Sequence, residues 1–205
     1  MPRDLSRRSF LRGSALTTAG ASMVSAAEAA MTMAQAQGVE GGGGGNGGVH
    51  SVRITLSVNG APRTLRVEPR MTLAEALRGP MGLTGTKIAC NRGACSACTV
   101  WLDGLPICSC MMLAVDVGER SVTTIEGLAQ KGTLHPVQQA FIDHDALQCG
   151  FCTPGMIMSC AALLERNADP SADDVRTAIS GHFCRCGTYP HVIAATLAAA
   201  KMPKG

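Results

Sequence analysis

The sequence predicts an α+β chain: a small sheet with one helix, followed by an all-helical half. Three observations carry this. Val52, Ile54, Leu56 and Val58 alternate with Arg53, Thr55 and Ser57, the period-two pattern of a half-buried strand, and Asn59-Gly60 follows as a hairpin turn. A second hairpin signal, Asp103-Gly104, follows the β-branched and aromatic run Thr99 to Leu102. After about residue 133 the punctuation becomes that of helices.

Taken in order, Ser51 to Val58 is the first strand and Arg63 to Val67 its return. Thr72 caps a short helix, Leu73 to Leu77, with Glu75 three residues on as the acid of a capping box, and Gly79-Pro80 ends it. Thr99 to Leu102 and Val122 to Ile125 are the remaining strand signals. Pro136 to Asp143 reads as a helix. Thr153-Pro154 reads as an N-cap with proline at the first helical position, opening a helix that runs to about Arg166. Ser171 and Asp174 form a second capping box before Val175 to Ile179, and Pro190 opens a last helix carrying Val192, Ile193, Ala195, Thr196 and Leu197.

The chain has 205 residues and is 46% hydrophobic, 16% charged and 3% aromatic, with a net charge of +3. The first 30 residues hold Arg3, Arg7, Arg8 and Arg12 against Asp4 and Glu28, which is +4 − 2 = +2 and leaves about +1 for the rest. No basic face remains for a nucleic acid. Ser6-Arg7-Arg8-Ser9-Phe10-Leu11-Arg12 is a twin-arginine pattern followed by the mild apolar stretch Ala15 to Ala30, with small-residue cleavage patterns at Ala27-Glu28-Ala29 and Ala34-Gln35-Ala36. That stretch is too short and too mild for a membrane span. Residues 1–36 are therefore expected to be a twin-arginine signal that sends a folded chain to the periplasm. Residues 37–49, with Gly41 to Gly45, Gly47 and Gly48, are expected to be a flexible linker rather than a phosphate loop, because no Lys-Ser/Thr follows. The folded part is expected to begin near His50.

Ten cysteines are too many for an ordinary core, so they are a disulfide framework or metal ligands. Export of a folded protein favours metal, since thiolates already bound are protected from oxidation outside the cytoplasm. Cys90, Cys95 and Cys98 follow a C-x4-C-x2-C spacing, the plant-type [2Fe–2S] pattern, and small residues (Gly93, Ala94, Ser96, Ala97) let backbone amides approach a cluster. The fourth ligand returns from the Asp103-Gly104 hairpin. Strand alternation would place Cys108 and Cys110 on one face, so spacing leaves both open. The second set is Cys149-Gly-Phe-Cys152 with Cys184-Arg-Cys186, two short pairs beside helix ends. Four such thiolates also suit a structural zinc site. Cys160, amid Met156, Ile157, Ala161 and Leu164, reads as a small buried hydrophobe. His135, His144, His182 and His191 lack ligand spacing and read as surface or capping residues. No acid pair or Ser-His-Asp order suggests catalysis within this chain, which points to an electron conduit. A stand-alone ferredoxin-like carrier and a zinc-stabilised interaction protein are the alternatives.

Across about residues 51 to 200 the chain resembles the [2Fe–2S] subunit of the xanthine dehydrogenase/aldehyde oxidoreductase family of molybdenum hydroxylases. The resemblance rests on Cys95-Ser-Ala-Cys98-Thr-Val, Leu102-Asp103-Gly104, Thr123-Thr124-Ile125-Glu126-Gly127-Leu128, Gln148-Cys149-Gly150-Phe151-Cys152-Thr153-Pro154-Gly155-Met156 and Cys184-Arg185-Cys186-Gly187-Thr188-Tyr189. It implies a plant-ferredoxin-like β-grasp domain over 50–127 and a four-helix-bundle domain over 128–205. It implies two [2Fe–2S] clusters, one on Cys90, Cys95, Cys98 and Cys110, the other on Cys149, Cys152, Cys184 and Cys186. It further implies a large molybdopterin-binding partner whose pterin lies near Gln148 and Cys186, and a flavin subunit or cytochrome c, carrying FAD or haem, as electron acceptor. The enzyme as a whole would oxidise aldehydes or N-heterocycles. The chain departs from the family at Ala89 and Ser96, where glycine is usual, and at Cys186-Gly187-Thr188-Tyr189, where Cys-Thr-Gly-Tyr is common. The last variant resembles the isoquinoline oxidoreductase and exported aldehyde dehydrogenase branches.

Overall fold

A computed structural model describes residues 50–203 apart from Lys131. The expected signal and linker lie outside the described residues, and His50 is exposed. The first hairpin joins β1 (Val52–Val58) to β2 (Ala61–Val67), antiparallel, with Val58 opposite Ala61. Its turn has Asn59 at φ 52° and Gly60 at φ 76°, the two left-handed residues that a two-residue hairpin of this kind requires. The second hairpin repeats the device: β3 (Thr99–Leu102) returns as β4 (Leu105–Cys108) through Asp103 at φ 49° and Gly104 at φ 78°. β5 (Ser121–Thr123) is shorter than expected; after it Ile125–Gly127 winds into a 3-10 turn. The sheet order is β2-β1-β5-β3-β4, with β5 parallel to β1 and antiparallel to β3.

Helix α1 (Leu73–Arg78) opens with the expected capping box, Thr72 and Glu75 each bonding the other's backbone amide. A cap of this kind is worth about 1 kcal/mol. Leu73 and Leu77 pack on Leu56, Val58, Val100, Leu102 and Val122, giving the sheet its core. Arg78 then donates to the carbonyls of Thr84 and Thr86, both at 2.7 Å, and so folds the approach to the first cysteine loop.

Four helices follow: α2 (Pro136–Asp143), α3 (Thr153–Arg166), α4 (Ala172–Ala178) and α5 (Tyr189–Ala199). Ser171 and Asp174 form the expected capping box of α4, and the Ser171 hydrogen bonds hold the Asp174 carboxyl below the usual range. His135 caps α2, its Nδ1 accepting the Val137 amide. Cys152, not Thr153, takes the cap position of α3, so the proline lies one residue deeper than expected. The helices enclose Val137, Phe141, Met156, Met158, Cys160, Leu164, Val192 and Ala195. Trp101 of β3 and Ile125 join this core from the sheet side, and all described residues belong to one compact unit. Cys160 is wholly buried as expected, and burial pushes its thiol up to about 12.

One expectation fails outright. His182 is neither a surface nor a capping residue: it is 3% exposed, and its Nε2 meets Ser159 Oγ of α3 at 2.7 Å. Its Nδ1 is buried without a partner, and burial lowers its pKa to about 4. Exposed neighbours on both sides, Gly181 and Phe183, hid this in the sequence.

Candidate metal centres

The first cysteine loop is wound tightly by three left-handed residues, Asn91 (φ 50°), Gly93 (φ 73°) and Ser96 (φ 55°). Asparagine and glycine adopt this conformation readily, whereas serine does so at a cost of about 1–2 kcal/mol. The usual glycine at the Ser96 position thus has a backbone reason, while Ala89 carries no positive φ and replaces glycine without strain. Thr99 holds the loop shut, donating its amide and its hydroxyl to the Ser96 carbonyl at 3.2 and 2.7 Å.

Two backbone amides of the loop point at cysteine sulfur. The Ala94 amide donates to Cys90 Sγ and the Gly93 amide to Cys110 Sγ, each at 3.3 Å. Cys98 and Cys110 are buried together beside Ala74. Cys98 is driven up to about 12, mainly by burial. Cys90 falls to about 7, chiefly through the Arg92 amide and then the Cys95 thiol.

Cys108 and Cys110 are placed differently, in a way that alternation did not capture. β4 ends at Cys108, and Ser109–Met111 turns as a 3-10 helix, so the two thiols do not share a strand face. Ser109, fully buried, donates its hydroxyl to the Cys98 carbonyl at 2.6 Å and fixes this turn. Cys110 Sγ then accepts the Gly93 amide N–H. Cys108 Sγ instead faces the Gly93 carbonyl at 4.0 Å and the Ser96 hydroxyl at 3.8 Å.

The second set sits on two turns, each bent by one left-handed glycine, Gly150 and Gly187, both at φ 78°. Cys152 is buried at the start of α3, while Cys149 is exposed and Cys184 and Cys186 are half-buried. Burial, followed by Cys184, raises Cys152 to about 12. Burial also pushes Cys184 up, but hydrogen bonds from the Thr188 side chain and backbone, Cys152 and the Cys186 amide outweigh it and bring it to about 7. Tyr189 organises the turn: its hydroxyl accepts the Cys184 amide at 2.8 Å and donates to the His182 carbonyl at 2.9 Å. Gln148, Phe151, Phe183 and Arg185 beside this set are exposed.

The two sets meet along a seam. The Phe183 amide donates to the Cys95 carbonyl at 3.3 Å, linking a residue of the first set to the neighbour of Cys184. Trp101 Nε1 donates to the Met158 carbonyl at 2.8 Å. A β-carbon at Gly155 would lie 2.4 Å from the Ser96 carbonyl oxygen, so only glycine lets α3 approach the first loop this closely. Part of the sheet's last segment is tied in as well: Asn59 bonds both the amide and the hydroxyl of Thr124, and Glu126 accepts the Gly85 amide. These contacts explain why Thr123 to Leu128 reads as a motif.

All ten cysteines are thiols. Among the described residues no group of three or more His, Cys, Asp or Glu is gathered for a single metal ion. A two-iron core takes two thiolates at each iron and suits a wider set. Eight thiols in two sets, with amide donors aimed at sulfur, fit [2Fe–2S] groups in the chemistry of their donors.

Fold and site together define an iron–sulfur protein with a sheet half and a helical half. Residues 124–197 match the family model described as a [2Fe-2S] binding domain. The chain is 47% identical over 146 residues to the nicotine 6-hydroxylase small subunit of Paenarthrobacter nicotinovorans, covering 71% of this chain and 88% of that one. It is 44% identical over 157 residues to the aldehyde oxidoreductase iron-sulfur-binding subunit of Escherichia coli O157:H7, covering 69% of each. The crystal structure of quinoline 2-oxidoreductase from Pseudomonas putida 86 superposes with a TM-score of 0.71 and 48% identity, covering 74% of this chain and 94% of that one. The chain belongs to the [2Fe–2S] small subunits of the molybdenum hydroxylase family. It is the electron-transferring iron–sulfur subunit of a multi-subunit molybdenum-containing oxidoreductase, and the molybdopterin belongs to a partner chain.

Proposed function

We propose that Cys90, Cys95, Cys98 and Cys110 hold one [2Fe–2S] cluster and that Cys149, Cys152, Cys184 and Cys186 hold the other. Residues 50–127 and 128–205 then act as two domains, each with its own cluster. Bound there, a two-iron cluster supplies a one-electron carrier. The observation that carries this reading is the Phe183 amide bonded to the Cys95 carbonyl. It gives the chain a covalent and hydrogen-bonded connection between the two sets, with no gap across solvent.

Direction follows from exposure. The second set is the more open, with Cys149 and the aromatic rings of Phe151 and Phe183 uncovered, and it is the side that a partner's molybdopterin would approach, near Gln148 and Cys186. Electrons then leave from the first set to a flavin subunit or a cytochrome c. Relatives named for nicotine, quinoline and aldehyde support an aldehyde or N-heterocycle as the substrate of the whole enzyme. The twin-arginine pattern supports a periplasmic enzyme, with the partner carried out on this one signal. Among the described residues no helix is long and apolar enough to cross a membrane.

Electron paramagnetic resonance of the dithionite-reduced protein, with spin counting, tests the assignment. Two distinguishable S = 1/2 signals totalling about two spins per chain are expected. About one spin would mean that the second set binds zinc or nothing, and no signal in anaerobically prepared protein would overturn the electron-transfer role. Cell fractionation tests the location: a cytoplasmic partner beside a periplasmic small subunit would sink joint export.

A further inference from the structure

We propose that Cys108 is an alternate ligand of the first cluster, able to take the place of Cys110. The inference rests on the reading that the first cysteine set holds a cluster.

The fifth thiol is built into the same site. Cys108 closes β4 directly opposite Thr99, the residue after Cys98. It packs against the buried cluster of Ala74, Cys98 and Cys110. Cys108 and Cys110 flank one residue, Gly93: its amide donates to Cys110 Sγ at 3.3 Å, and its carbonyl lies 4.0 Å from Cys108 Sγ. The two sulfurs therefore reach the same part of the cysteine loop, at the two peptide units that flank the Gly93 α-carbon.

The partners determine which thiol ligates at rest. Cys110 Sγ accepts the Gly93 amide and is buried with Cys98, whereas Cys108 Sγ meets the Gly93 carbonyl and the Ser96 hydroxyl and is only half-buried. Ser96, at φ 55°, places its hydroxyl 3.8 Å from Cys108 Sγ.

Exchange releases the hydrogen bond from Ser109 to the Cys98 carbonyl that holds this turn. Only Ser109 separates the two cysteines: Cys108 ends β4 and Cys110 lies in the 3-10 turn Ser109–Met111, whose last residue, Met111, is 66% exposed. Turning that segment moves Met111 through solvent rather than through the core. In the exchange the iron–Sγ bond to Cys110 breaks and one to Cys108 forms. The Cys108 proton passes to Cys110, and no oxidation state changes.

The test uses the full chain in complex with its partner subunits. Cys110→Ala, Cys108→Ala and the double variant are compared by reduced-state paramagnetic resonance and iron content. Cys110→Ala is expected to keep both S = 1/2 signals, the first-set signal with altered g values, and iron close to wild type. Cys108→Ala should match wild type. The double variant should lose the first-set signal and half its iron while keeping the second-set signal, which reports an intact fold. Should Cys110→Ala fail to fold, Cys110→Val, alone and with Cys108→Ala, carries the same comparison with a side chain that fills the buried site and cannot bind iron. Alkylation followed by mass spectrometry should label Cys108 in wild type and find it protected in the Cys110 variant. The proposal is overturned if Cys110→Ala loses the first-set signal as fully as the double variant. It is equally overturned if the double variant keeps that signal, since solvent would then be the ligand. A wild-type protein lacking the first-set signal would instead remove the cluster assignment beneath it.

Discussion

The two cysteine sets are built by different means. The first is wound from backbone: three left-handed residues within six positions, amides aimed at sulfur, and three of its four cysteines buried. The second is hung on side chains. Tyr189, Thr188 and Ser159 brace it, one cysteine is exposed, and two exposed aromatic rings flank it. The first set is finished within the chain, whereas the second leaves a surface for a partner to cover. A set built from backbone tolerates side-chain change but not a misplaced β-carbon. A set built from side chains is vulnerable to the loss of single polar atoms.

The largest effect should come from joining rather than separating them. Gly155→Ala places a β-carbon 2.4 Å from the Ser96 carbonyl, where backbone must shift. The gain in helix propensity is about 1 kcal/mol, yet overpacking against backbone should leave a net loss of about 3 kcal/mol or more. Both cluster signals should be disturbed together, and thermal unfolding followed by circular dichroism gives the stability. Loss of only one signal would show that the seam is not shared.

Acid should attack the second region first. The folded pKa of His182, about 4, lies below its ordinary 6.5. The unfolded chain therefore binds more protons between those values, so the contribution is complete above about pH 6.5 and is lost as pH falls towards 4. At 1.36 kcal/mol per unit the loss amounts to about 3 kcal/mol. Chemical denaturation across this window should show that slope, and His182→Asn should flatten it.

A mirrored pair gives the smallest effects and the cleanest separation. Tyr189→Phe removes an acceptor from the Cys184 amide and a donor from the His182 carbonyl, at about 1–3 kcal/mol. It should alter only the second-set signal. Gly93→Ala forces a side chain to φ 73°, about 1–2 kcal/mol, and crowds only the flexible Met111. It should alter only the first-set signal. If the two variants disturb the same signal, the division into backbone-built and side-chain-built sites fails.

Local chemistry in the sequence by itself determined the hairpins at Asn59-Gly60 and Asp103-Gly104, the two capping boxes and the two cysteine sets. Each follows from residues within a few positions of one another: left-handed backbone, cap hydrogen bonds and ligand spacing act over one turn of chain. The burial of Cys160 was legible for the same reason, since its apolar neighbours lie on its own helix. Tertiary structure alone decided the rest. Strand alternation could not separate Cys108 from Cys110, because it assumes a strand that in fact ends at Cys108 when Ser109 is drawn to the Cys98 carbonyl. His182 looked like a surface residue until α3 brought Ser159 against it. The parallel pairing of β1 with β5, the fit of Gly155 over Ser96 and the bond from Phe183 to Cys95 join residues tens of positions apart. No local pattern encodes such contacts, because they exist only once two separate elements have packed.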